Sequence, residues 1–169
     1  MRRPLILHPR SRCDAVTSLA VEAERAGAGL TLRYLLTGDV ARLAVPPAAG
    51  PGRVDGLWNH TCFEAFLGAE GGAYREFNFA PSTEWAAYGF GGYRSGMAPL
   101  EIEAPSIGIA KTADTLEVRV GLALPATGPL RLGLTAVVEE VGGRLSYWAL
   151  RHPAEQPDFH HAGGFMLEL

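Results

Sequence analysis

The chain has 169 residues, with 15 basic against 18 acidic side chains and a formal charge of −3. Apolar residues make up 47% and charged residues 20%, enough to bury a core, which excludes a disordered tail or a long coiled coil. With no basic excess to neutralise phosphates, nucleic acid is excluded as the main partner.

Glycine (21) and proline (12) supply about a fifth of the chain, a composition that suits many short strands joined by turns. The N-terminal stretch MRRPLILHPR carries two positive charges before an apolar run of only three residues, shorter than the core of a signal peptide. No stretch approaches the 18 apolar residues of a membrane span. The two cysteines, Cys13 and Cys62, make neither a disulfide framework nor a zinc motif. These features predict a soluble, cytoplasmic protein with reduced thiols and no membrane partner.

Residues 16–26 put Leu19, Val21 and Ala23 on one face of a strand, although the Ala and Glu content also permits a helix. The GAG at 27–29 and the β-like LTLRYLL at 30–36 favour a hairpin. Residues 44–56, rich in proline and glycine, read as a long surface loop. Further strands are predicted over 57–67, 73–80, 85–93, 106–112, 115–124, 130–141 and 144–150, with a tight turn at VGG 141–143. The segment 152–164 reads as a loop, and FMLEL closes the chain with a short strand. Nine to eleven short strands in one domain over 1–169 predict an all-β fold, a β-sandwich or jelly roll.

Side chains alternate along a strand, so parity sorts them into faces. In 57–67 the odd positions are mostly apolar, while the even ones are Trp58, His60, Cys62, Glu64 and Phe66. In 73–80, Phe77 and Phe79 oppose Tyr74, Glu76 and Asn78. In 144–150, Leu145, Tyr147 and Ala149 oppose Arg144, Ser146 and Trp148. The even positions thus predict one face that mixes aromatics with carboxylates, amides and hydroxyls. Such a face suits a sugar, whose C–H face lies on an aromatic ring while polar groups take its hydroxyls.

The segments LWNHTCFEAFL, YREFNFAPSTEWAAYGF, RLSYWALRHP and PDFHH resemble the bacterial DOMON-like family related to family 9 carbohydrate-binding modules. The similarity runs through nearly the whole chain. It implies a β-sandwich or jelly roll and a non-catalytic module that holds a terminal sugar between two tryptophans with a glutamate nearby. Trp58 and Glu64 match that motif, and Trp148 is the implied second tryptophan. The resemblance also raises structural calcium, although no acidic cluster has a calcium-loop spacing. The wider DOMON group raises a haem-binding electron-transfer domain as the alternative, with Met97 and a histidine as its axial pair.

A symmetric hairpin about residue 70 would set Glu64 directly opposite Glu76, Phe66 opposite Tyr74 and Cys62 opposite Asn78. Opposed like charges need compensation, by Arg144 between them, by a calcium ion or by a retained proton. The same spacing resembles the carboxyl pair of a retaining glycosidase, a further and less favoured reading. The expected ligand site is therefore Trp58, Glu64, Glu76, Asn78, Arg144 and Trp148, with Glu64 in a cleft walled by Trp58 and Trp148.

Overall fold

The computed structural model describes residues 2–124 and 128–169. Twelve strands are present among them: β1 (Arg3–Leu7), β2 (Val16–Ala26), β3 (Gly29–Gly38), β4 (Cys62–Gly68), β5 (Tyr74–Phe79), β6 (Trp85–Phe90), β7 (Ala98–Pro99), β8 (Ser106–Lys111), β9 (Thr115–Ala123), β10 (Arg131–Glu139), β11 (Leu145–Ala149) and β12 (Leu167–Glu168). No described residue is α-helical. The strands run in the order β7-β6-β5-β4-β10-β11-β1-β2-β3-β9-β8, with β12 on β10. This is the predicted all-β sandwich, made by one antiparallel sheet curled on itself.

Strand β1 joins the two halves. Arg3, Pro4 and Leu5 pair with β2, while Ile6 and Leu7 pair with β11. The halves pack through alternate side chains. Leu30, Leu32, Tyr34 and Leu36 of β3 meet Phe63, Ala65 and Leu67 of β4, Phe77 and Phe79 of β5, and Leu132 and Leu134 of β10 in one apolar core. The Tyr34 hydroxyl donates to the Glu64 backbone carbonyl at 2.7 Å, which satisfies a polar group inside that core.

The outer faces of the two halves differ. On β2-β3-β9 the outer face is polar, with Arg33 bridging Glu22 and Glu117. On β4-β5-β6 it is buried as well. Phe66, Tyr74, Ala86, Tyr88, Phe90 and Phe165 form a second apolar cluster there. Phe165 brings the C-terminal segment down onto Gly133 of β10, where a Cβ would stand 2.6 Å from its ring. Only a glycine admits so close an approach.

Several predicted elements match closely. Residues 16–26 are a strand of the hairpin, not a helix, because Leu19, Val21 and Ala23 all face the core. Gly142 and Gly143, both at positive φ, turn the chain between β10 and β11. Strands β1 and β7 lie in stretches not predicted as strand; both are short and lack a clean alternation.

Three expectations are corrected. Strand β4 begins at Cys62, because Gly56 at φ +79 opens a 3-10 turn over Leu57–Asn59 that carries Trp58. The β4–β5 turn is centred on residue 71, not on residue 70. Gly71 and Gly72 both sit at positive φ, and the closing pair is Gly68 with Tyr74. Glu64 therefore opposes Asn78, and Phe66 opposes Glu76. The slip is two residues, so parity holds and the two glutamates still share one face. Trp148 is the third correction. It pairs with Ala136 on the core side and is 6% exposed, on the face opposite Glu64. Ser146, also core-facing, accepts from the Trp148 indole at 3.0 Å and donates to the Val138 carbonyl, so a polar residue is satisfied on that side. The outer-face residues of β11 are Leu145 and Tyr147.

This assignment predicts opposite behaviour for two tryptophans. Trp148→Ala should lower unfolding free energy by about 3–5 kcal/mol, the cost of a large core cavity. Trp58→Ala, at a position 37% exposed, should cost less than about 1 kcal/mol. Guanidinium denaturation of both variants checks the pair, and equal losses would contradict the assigned faces.

Candidate functional site

A cleft of about 420 Å³ opens on the outer face of β6-β5-β4-β10-β11. Glu64 of β4, Glu76 of β5 and Val137 of β10 form its sheet side, with Leu145 and Tyr147 of β11 beside them. Trp58 and Asn59 enter from the 3-10 turn, Phe90, Arg94 and Met97 from the end of β6 and the loop after it, and Pro157, Phe159 and His160 from the C-terminal segment.

Each wall is held from outside the cleft. Tyr88 of β6 donates its hydroxyl to Asp55 at 2.5 Å and meets the Trp58 ring edge-on at 5.8 Å, which fixes the turn before β4. Arg53 reaches the carbonyls of Ala87 and Leu100 and lies over the Trp85 ring. On the other side Asp158 gathers three donors: the Tyr93 hydroxyl at 2.6 Å, the Arg94 guanidinium at 2.9 Å and the His160 backbone N–H at 3.1 Å. Arg94 itself sits at φ +51, a region few non-glycine residues enter, and its N–H donates to the Tyr74 hydroxyl at 3.2 Å.

The carboxyl groups define the electrostatics. Glu64 is 2% exposed. Its Oε2 accepts from the Thr135 hydroxyl at 3.4 Å, and its Oε1 has no partner. Burial first, and the neighbouring Glu76 second, push its pKa well above the usual carboxylate range. Glu76 Oε1 accepts from the Asn78 amide at 2.8 Å, while Oε2 lies 3.9 Å from His160 Nε2. Burial raises Glu76 too, against the Asn78 hydrogen bond and the Arg94 charge. His160 moves the other way, down to about 4, chiefly because it is desolvated. Its Nδ1 lies 2.8 Å from the Tyr74 hydroxyl, which already accepts from Arg94. The network assigns the Tyr74 proton to Nδ1 and leaves neutral His160 with its N–H at Nε2, toward Glu76.

Of the predicted site residues, Trp58, Glu64 and Glu76 line the cleft. Asn78 lies beneath it, fully buried, and orients Glu76. Trp148 and Arg144 are elsewhere. Arg144 pairs with Asp14 at 2.8 Å and Glu140 at 3.5 Å, because the β10–β11 turn carries it away from the two glutamates. Sequence reasoning missed Tyr147, Arg94, Phe159 and His160. The parity of β11 held the signal for Tyr147, since its odd positions could equally have been the outer face. The other three lie in loops, where no period places a side chain.

Neither a calcium ion nor a haem fits these residues. Among the described residues no three His, Cys, Asp or Glu side chains are arranged to hold a metal ion, and Asn78 already occupies one oxygen of the carboxyl pair, far short of the six to eight oxygens calcium takes. Met97 and His160 do share the cleft, but Tyr74 takes one His160 nitrogen and Glu76 faces the other.

No protein-family model matches the chain, and no curated protein matches it in sequence. Its fold is similar to that of several solved structures. One, from Bacteroides uniformis ATCC 8492, is named as a candidate carbohydrate-binding protein; it is 14% identical, with a TM-score of 0.71 over 98% of this chain and 84% of that one. A family 9 carbohydrate-binding module from Caldicellulosiruptor kristjanssonii, solved with cellotriose, is 9% identical, with a TM-score of 0.60 over 97% and 80%. A family 9 module from the same organism, solved with glucose, is 9% identical, with a TM-score of 0.52 over 85% and 73%. The likeness establishes the sandwich fold.

The network makes His160 an acid-sensitive point. Its neutral form is favoured in the folded chain, so its contribution to stability is complete above about pH 6.5 and is lost as pH falls toward 4. The shift corresponds to up to about 3 kcal/mol. Heteronuclear NMR at pH 5.5 should show His160 neutral with the proton on Nε2, and His160→Gln should lose less stability than the parent between pH 7 and 4.5. A midpoint near 6.5 would dissolve the assigned network.

Proposed function

We propose that the outer-face cleft binds a sugar. The observation that carries this reading is Glu64 Oε1, a buried carboxyl oxygen without a partner at the floor of an aromatic-walled cleft. A buried oxygen in that state costs about 1–3 kcal/mol, recovered when a ligand hydroxyl bonds it. A carboxyl group that retains its proton both donates and accepts, which suits hydroxyls that do the same. Trp58, part-exposed at the cleft, offers a ring face for sugar C–H groups. Tyr147 and Phe159 add aromatic surface at the wall, and Asn59 and Arg94 add polar groups.

The fold neighbours named for carbohydrate binding support the same reading. The site differs from the sandwich of two tryptophans that the resemblance implied, since Trp148 belongs to the core. In this chain one tryptophan works with a tyrosine and a phenylalanine. The module is read as a binder of a terminal or small sugar.

Titration calorimetry with glucose, cellobiose and a panel of other mono- and disaccharides tests the proposal. Binding is expected in the micromolar to millimolar range, about −4 to −8 kcal/mol. Trp58→Ala should weaken it by about tenfold or more, roughly 1.4 kcal/mol, with the thermal midpoint little changed. A panel with no binder, or full affinity in the Trp58→Ala variant, would refute this site.

A further inference from the structure

We propose that the preferred ligand of the cleft carries a protonated amine, as an amino sugar does, with the ammonium group against Glu64 and Glu76. This rests on the sugar-binding reading of the same cleft and adds the ligand's charge. The argument starts from what the two glutamates lack. Glu64 has one long hydrogen bond, from Thr135 at 3.4 Å, and a bare Oε1. Glu76 has one, from Asn78, and its Oε2 lies 3.9 Å from His160 Nε2, beyond hydrogen-bond reach. Among the described residues no arginine or lysine forms an ion pair with either.

The cations within reach are already engaged. Arg94 lines the cleft but gives its guanidinium to Asp158 at 2.9 Å and lies over the Tyr93 ring. That pair is neutral in sum. His160 is neutral and bonded to Tyr74. The cleft floor therefore holds two carboxyl groups with no arginine or lysine bonded to either.

A neutral hydroxyl fills a lone pair and leaves that imbalance in place. An ammonium group supplies three N–H donors and the missing charge together. Its hydrogen bonds to carboxylates are charge-assisted, about twice as strong as neutral ones. Acetylation of the amine removes both the charge and two of the donors, so N-acetylated sugars lose the advantage.

Calorimetry on the full chain at pH 7 with glucosamine, glucose and N-acetylglucosamine, and the same trio built on galactose, tests the proposal. In at least one trio the amine should bind about tenfold tighter, or more, than both neutral sugars. Glu64→Gln and Glu76→Gln, each checked for folding by circular dichroism, should bring the ratio of amine to neutral affinity toward one. Neutral sugars that bind as tightly as the amines overturn the amine preference and leave the sugar site standing. A tight amine whose preference survives in both glutamine variants places the charge recognition elsewhere and overturns the proposal. Failure of all six sugars, amines included, overturns it together with the sugar reading.

Discussion

Strand β4 is buried on both faces, and the candidate site depends on that arrangement. Its inner side chains, Phe63, Ala65 and Leu67, belong to the sandwich core; its outer ones, Cys62, Glu64 and Phe66, are equally shielded. An antiparallel sandwich commonly leaves the outer face to water. In this chain loops and the C-terminal segment cover it instead. A carboxyl group at such a position loses hydration and must find hydrogen bonds, keep a proton or wait for a ligand. Glu64 has one long bond and an idle oxygen. Its chemistry follows from the covering of the sheet more than from any neighbour along the strand.

The cover is tied down by contacts of its own. Phe165 sinks onto Gly133, and Phe66 lies nearly parallel to it at 6.0 Å. Asp158 holds Tyr93 and Arg94 of one loop against the backbone of its own. Tyr74 stacks on Phe90 at 4.6 Å while its hydroxyl serves Arg94 and His160. These contacts come from two segments distant in sequence and meet around one cavity. A site whose walls are fixed in advance spends less binding energy on ordering them. The left-handed backbone of Arg94 belongs to the same economy, since its N–H is the group that Tyr74 anchors.

The sandwich was legible because its core strands alternate cleanly. In β3 every second residue from Leu30 to Leu36 is buried, and no helix period competes with that pattern. The glutamate pair was legible for the same reason: parity survived a register that the turn glycines had moved. Trp58 and Glu64 were found together although Trp58 is not on the strand at all, because the 3-10 turn happens to present it to the same cleft. What failed was β11, where Tyr147 and Trp148 are adjacent aromatics and Ser146 is a buried polar group. A serine satisfied by a backbone carbonyl and an indole looks, in sequence, like an exposed one. The loop residues Arg94, Phe159 and His160 had no period to reveal them, and their placement depends on contacts with each other.

The distribution of charge separates structural carboxylates from the pair in the cleft. The chain has fourteen arginines, and elsewhere they meet acids closely. Arg33 and Arg119 hold Glu117 below its ordinary range, and Arg144 and Arg12 do the same for Asp14. Glu140, buried at the edge of the sandwich, accepts two backbone N–H groups and faces Arg42 and Arg144. Glu64 and Glu76 are displaced in the opposite direction, upward, with burial as the first cause in both. A fold that needed these two groups only for stability would gain from an apolar pair or from a bridging arginine. The nearest arginine is instead turned to Asp158. Two carboxyl groups kept buried and under-bonded, in a chain with abundant cations, are the feature on which the proposed recognition rests.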